Sequence, residues 1–194
     1  MDNRSIIKQN IEDSIELKSK VLADKNILAS INDAADAIVK CFQSNGKVLF
    51  CGNGGSAADS QHLAAELSGR YYYDRPPLPA EALHVNTSYM TAVANDYSFD
   101  EVYARLLQGI GSDGDIVIGL STSGNSNNIL KALKVAKEKK MITVGFTGEG
   151  GGRIAQYCDI LVEIPSKDTP RIQECHMLIG HAICHIVELS LYPQ

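Results

Sequence analysis

The sequence predicts an α/β protein: a doubly wound, flavodoxin-like five-stranded parallel sheet preceded by N-terminal helices. Three observations carry that prediction. Five short apolar runs, at 47–51, 81–85, 115–120, 142–146 and 160–164, alternate with stretches of helical periodicity. The run Val48-Leu49-Phe50-Cys51 lacks any polar–apolar alternation, as a strand covered on both faces does. It ends in a glycine-rich turn that opens a helix, and a second run ends in a similar hydroxyl-rich turn. Strand–helix alternation of this kind builds a parallel sheet with helices on both faces, and ligands then bind beyond the carboxyl ends of the strands.

Taken in order, residues 6–23 place Ile6, Ile7, Ile11, Ile15, Leu17, Val21 and Leu22 at helical spacing. A second amphipathic helix is expected over 27–43, through Ile31, Ala34, Ile38 and Val39, and Asn45-Gly46 ends it. Residues 1–45 are therefore helical before the sheet begins. That exceeds what a minimal α/β unit needs, and the first helix is expected to pack on another subunit. Further helices are expected over 57–69, 88–94 with 99–109, 126–139, 152–158 and 170–191. Thr169 and Pro170 make a suitable N-cap and first-turn pair for the last of these. The segment 74–79 reads as a stiff connector, and 148–152 (Gly-Glu-Gly-Gly-Gly) as an unusually flexible loop. No repeat, low-complexity segment or linker divides the chain, so residues 1–194 read as one domain.

Composition excludes several classes. A net charge of −5 provides no basic field for nucleic acid or an acidic membrane. No apolar run approaches the roughly 20 residues of a membrane span, and the N-terminus holds no apolar signal core. The five cysteines, Cys41, Cys51, Cys158, Cys175 and Cys184, form no C-x-x-C pair and fall mostly in apolar stretches. They read as buried reduced thiols of a cytoplasmic protein.

Chemistry concentrates at two corners. The first runs Cys51-Gly52-Asn53-Gly54-Gly55-Ser56, with Ser56 placed to cap the helix that follows. Two turns into that helix, His62 and Glu66 share one face. A surface ion pair is the ordinary reading of such a pair, but here the helix start already points into the strand-end crevice. The second corner, Ser121-Thr122-Ser123-Gly124-Asn125-Ser126, puts four hydroxyls and a glycine turn at a helix N-terminus. That arrangement can donate to the several oxygens of a phosphate monoester. The pattern G-x-x-x-x-G-K-[ST] is absent, as is G-x-G-x-x-G, which leaves nucleoside triphosphates and dinucleotides without support. The last helix holds His176, His181 and His185, and pattern alone does not rank His181 above the other two.

In combination, Cys-Gly-Asn-Gly-Gly-Ser at 51–56, His62-x-x-x-Glu66, Asn95-Asp96, Ser121–Ser126 and Arg171-Ile172-Gln173-Glu174 with His181 resemble the phosphoheptose isomerases. These are single-domain members of the sugar isomerase (SIS) fold, and the resemblance spans nearly the whole chain. It implies conversion of sedoheptulose 7-phosphate to D-glycero-D-manno-heptose 7-phosphate, the entry to ADP- or GDP-heptose for bacterial surface glycans. It also implies a homotetramer with active sites at subunit interfaces. By the same resemblance, Asn53, Gly54, Gly55 and Ser56 line the sugar, and Asn95 and Asp96 bind its hydroxyls. Ser121, Thr122, Ser123 and Ser126 hold the phosphate. His62, Glu66, Gln173 and His181 are similar to the family's zinc ligands, with Glu66 and His181 also its acid/base residues. Gln173 and His181 lie eight residues apart, roughly 12 Å along a helix, so one ion reaches both only if it sits between them. Some members carry an Asp where this chain has Pro170, and any substrate contact of that Asp does not transfer. Two other readings share these motifs: a non-catalytic adaptor that binds the replication initiator, and an isomerase of another phosphosugar. The adaptor lacks the equivalents of Glu66 and His181, which are present here.

Overall fold

The computed structural model describes residues 2–194. Two helices lead, α1 (Asn3–Ala23) and α2 (Lys25–Gln43). The sheet and its crossovers follow as β1 (Val48–Gly52), α3 (Gly55–Ser68), β2 (Ala80–Ala82), α4 (Thr87–Asp96), α5 (Val102–Ile110), β3 (Ile116–Ser121), α6 (Asn127–Glu138), β4 (Ile142–Thr147), β5 (Ile160–Glu163) and α7 (Thr169–Leu191). Short 3-10 turns at Phe99–Glu101 and Gly152–Tyr157 complete the chain.

All strand pairs are parallel, in the order β2-β1-β3-β4-β5. The chain therefore winds outward in both directions from β1 and β3, and the crevice beyond their carboxyl ends is the topological switch point. Alternate residues feed two cores. Val48, Phe50, Ile116, Ile118 and Leu120 pack under α2, α3 and α7. Leu49, Cys51 and Val117 pack under α4, α5 and α6 on the opposite face. Burial on both faces is why these strands read as unbroken apolar runs.

The leading helices differ in what they bury. Helix α2 packs Ile27, Ile31, Ala34, Ala35, Ile38, Cys41 and Phe42 into the first core. Helix α1 buries only Leu17 and Val21. Ile7, Ile11, Ile15 and Leu22 are left on its exposed surface.

Two local expectations fail. Ser56 does not cap α3: the helix starts two residues earlier than expected, at Gly55, and its N-cap is Gly54 at φ 56°. The tight left-handed turn brings Ser56 inside the first turn, where it is buried and its carbonyl accepts from Ser60. Nor is 148–152 a slack loop. The Gly148 amide donates to Thr122 O, that of Glu149 to Ser166 O and that of Gly150 to the Glu163 carboxylate. Its glycines serve close backbone approach and positive φ, not mobility.

Candidate active site

Helices α3 and α7 run side by side in the same direction, because both follow strands of one parallel sheet. Gly55 faces Gln173, Leu63 meets Gly180, and His62 meets His181. A Cβ on Gly180 would come within 2.5 Å of Leu63, so the glycine sets how closely the helices approach. That closeness brings the two Nε2 atoms of His62 and His181 to 2.9 Å. One turn on, Glu66 Oε1 lies 3.1 Å from His62 Nε2. All three residues offer a ligand atom, and these atoms lie within 4.8 Å of one another. The His62 side chain is 49% exposed and that of Glu66 24%, so the group faces solvent.

The trio is braced from behind. Arg75, read in sequence only as part of a stiff connector, is buried under the end of α3. Its guanidinium donates to the carbonyls of Glu66, Leu67, Gly69 and Pro76, and to Glu188 on α7. Glu188 is fully buried and also accepts from the amides of Tyr71 and Tyr72. Burial pushes the Glu188 carboxyl up, but the two tyrosine amides and Arg75 outweigh it and leave the group below its usual range. The ring of Tyr71 lies 5.8 Å from that of His181. Burial, with Tyr72 and Glu66 nearby, raises the Tyr71 phenol to about 12.

At the switch point, Asn53 after β1 and Asn128 in α6 exchange reciprocal amide hydrogen bonds of 2.9 and 2.8 Å. These bonds fix the spacing of the two strand ends. Asn128 also accepts from the Ile129 amide, and its role as the partner of Asn53 had no signal in the sequence. Beyond β3, Gly124 adopts φ 63° and donates to Ser121 O, closing the turn. Ser126 occupies the N-cap of α6, but its hydroxyl faces Ser121 Oγ at 3.0 Å instead of capping the helix. Hydroxyls and a helix N-terminus without a side-chain cap therefore share one concavity, a chemistry suited to an anion.

The remaining predicted residues stand apart. The Gln173 amide lies against Gly55, where an added Cβ would sit 2.7 Å from Nε2, and it makes no hydrogen bond to the trio. Beside it, a cleft of about 500 Å3 is lined by Lys18, Asp59, Pro170, Gln173, Glu174 and Met177. Among the described residues, Asp59 Oδ2 and Glu174 Oε2 are buried there without hydrogen-bond partners. Burial raises the Asp59 carboxyl, with His62 offsetting part of the shift. Asn95 and Asp96 close α4 exposed, bonded to each other at 2.9 Å, with no hydrogen bond to the trio or the serine loop. His176 is buried against Phe146 and bonded to Thr147 O, and burial holds it down to about 4. His185 packs edge-on to Tyr72. Position on the helix thus separates His181 from its neighbours in a way that pattern did not.

The model of the SIS domain family matches residues 10–148. The phosphoheptose isomerase of Aneurinibacillus thermoaerophilus is 50% identical over 186 residues, covering 96% of this chain and 94% of that protein. The chain belongs to the phosphoheptose isomerase family of SIS-domain proteins. A phosphoheptose isomerase of Burkholderia pseudomallei is 47% identical over 99% of this chain and 98% of its own. Among solved structures, the phosphoheptose isomerase of Neisseria gonorrhoeae superposes with a TM-score of 0.90 at 39% identity, covering 96% of this chain and 99% of that one. That of Francisella tularensis gives 0.92 at 36%, covering 96% and 98%. Its sheet order and helical layers are therefore those of the family.

Proposed function

We propose that this family member is an aldose–ketose isomerase that converts sedoheptulose 7-phosphate to D-glycero-D-manno-heptose 7-phosphate. The observation that carries the reading is the convergence of Glu66, His62 and His181, on two helices that the sheet holds in register. The isomerisation removes a proton from C1 of the ketose, forms an enediolate, and returns a proton to C2. Glu66 is the carboxylate that carries the proton between the carbons, and His181 exchanges the proton between O1 and O2. Ser121, Thr122, Ser123 and Ser126 receive the phosphate at the N-terminus of α6. Asn53, Gly54, Gly55, Ser56 and Gln173 shape the sugar end of the crevice, and Asn95 and Asp96 take its hydroxyls.

Two imidazole nitrogens and a carboxylate oxygen, open to solvent on one side, fit three of the four ligand positions of a zinc ion. His62, Glu66 and His181 would hold it, with Gln173 as the fourth ligand that the family resemblance implies. Such an ion supplies polarisation of the carbonyl and charge stabilisation of the enediolate oxygen.

In the same reading residues 1–194 form one SIS domain, and the chain assembles as a homotetramer with active sites at subunit interfaces. The exposed stripe of Ile7, Ile11, Ile15 and Leu22 on α1 supports burial against another copy. Five free cysteines support a reducing, cytoplasmic setting. The product enters ADP- or GDP-heptose synthesis for surface glycans such as lipopolysaccharide. The test is to assay the purified chain, with zinc supplied, against sedoheptulose 7-phosphate, unphosphorylated sedoheptulose and shorter ketose phosphates. Selective turnover of the heptulose phosphate is expected; preference for a shorter phosphosugar would replace the substrate assignment.

A further inference from the structure

The turn that follows the glycine loop grips the serine loop in a way the reaction scheme does not use. The Gly148 amide donates to Thr122 O and that of Ile154 to Gly124 O, both at 3.0 Å. Arg153 contributes three more bonds: its amide to Asn125 Oδ1 at 3.1 Å, and Nη2 to Asn125 O and Asn127 Oδ1, each at 2.7 Å. It is the one cationic side chain, among the described residues, that hydrogen-bonds any residue from Ser121 to Asn127. Its location is electrostatically odd. Asn127 is the first residue of α6, where the helix dipole disfavours a cation. An anion seated in the loop removes that conflict, because it attracts both the helix end and the guanidinium.

We infer that Arg153 is a positioning residue for phosphate. It ties the start of α6 to the β4–β5 connection and holds the serine hydroxyls at fixed spacing before substrate arrives. The inference deepens the isomerase reading and rests on it for the identity of the phosphate carrier. It does not rest on that reading for anion binding itself. The packing agrees with a preformed cradle: a Cβ on Gly124 would come within 2.1 Å of Gly151 O, so the two loops touch backbone to backbone. A rigid loop held from outside selects a tetrahedral anion through prearranged donors, which lowers the ordering cost of binding.

The test compares the full-length wild-type chain with Arg153→Met and Arg153→Lys, using inorganic phosphate in calorimetry and sedoheptulose 7-phosphate in kinetics. Arg153 is exposed, so neither substitution opens the core. Methionine is expected to weaken phosphate binding about tenfold, as expected for loss of a charge-assisted hydrogen-bond bridge, and to raise KM by a similar factor at nearly unchanged kcat. Lysine keeps a charged donor within reach of both oxygens and should recover most of the loss. Unchanged phosphate affinity in the methionine variant overturns the inference. So does a wild-type chain that binds no phosphate, a lysine variant no better than methionine, or a fall in kcat at constant KM. A chain that binds phosphate in the predicted pattern, yet turns over no sugar phosphate, retains this role for Arg153 and refutes the isomerase reading.

Discussion

Removing the Glu188 carboxylate tests how the site is held together. In Glu188→Ala, the amides of Tyr71 and Tyr72 lose acceptors at 3.0 and 2.8 Å, and Arg75 Nε loses one at 3.2 Å. All of this happens at a fully buried position. Breaking one half of a buried ion pair costs about 3–5 kcal/mol. Arg75 keeps four carbonyl acceptors, which places the expected loss toward 3. At roughly 2–4 °C per kcal/mol for a chain of this size, the melting temperature should fall by about 6–12 °C. Urea unfolding should show a lower midpoint at unchanged slope. The double variant Arg75→Met/Glu188→Leu should recover part of the loss, because no buried charge is then left alone. The same carboxylate confers a pH dependence. Its folded pKa lies below the ordinary value of 4.5, so its stabilisation is complete above that value and is lost as pH falls through the lower folded value. Glu188→Ala should flatten that acid limb. A loss under about 1 kcal/mol, or an unchanged acid limb, would refute the clamp.

Glu66→Gln should lower kcat by roughly 10²- to 10⁴-fold, the usual span for loss of a general base, while melting stays within about 2 °C. The His62–Glu66 pair is a half-exposed i, i+4 contact worth only a few tenths of a kcal/mol, so a large thermal shift would mean the variant is structural. His62→Ala, purified without chelators, should carry less than about a tenth of the wild-type zinc by elemental analysis, since losing a direct ligand exceeds the 10- to 100-fold effect of outer partners. Full zinc content would remove His62 from the ligand set. Gly124→Ala forces a Cβ against Gly151 O at a left-handed position, and phosphate affinity measured by calorimetry should drop about tenfold or more. Unchanged affinity would mean that the turn is not part of the cradle.

The sheet was legible because its strands are buried on both faces and bounded by turn residues. Expected and observed limits of β1, β3 and β4 differ by one residue at most. The trio was half legible. His62 and Glu66 sit on one helix, where spacing reports which face they share, but His181 comes from 119 positions away. Nothing local distinguishes it from His176, earlier on the same helix, buried and bonded to the Thr147 carbonyl. Contacts made by tertiary approach left no periodic trace. Arg75 looks like a loop cation until α7 brings Glu188 to it, and Asn128 looks like a helix opener until β1 ends beside it. The glycine run at 148–152 misled for a related reason. Composition reports the freedom of the unfolded loop, whereas the fold spends that freedom on positive φ and on contact with Gly124.

The proposed chemistry has one direct test. Incubated in deuterium oxide with sedoheptulose 7-phosphate and zinc, the wild-type chain should produce an aldoheptose 7-phosphate carrying solvent deuterium at C2, with exchange abolished in Glu66→Gln. Turnover or exchange that persists at the wild-type rate in the glutamine variant would contradict proton transfer by Glu66.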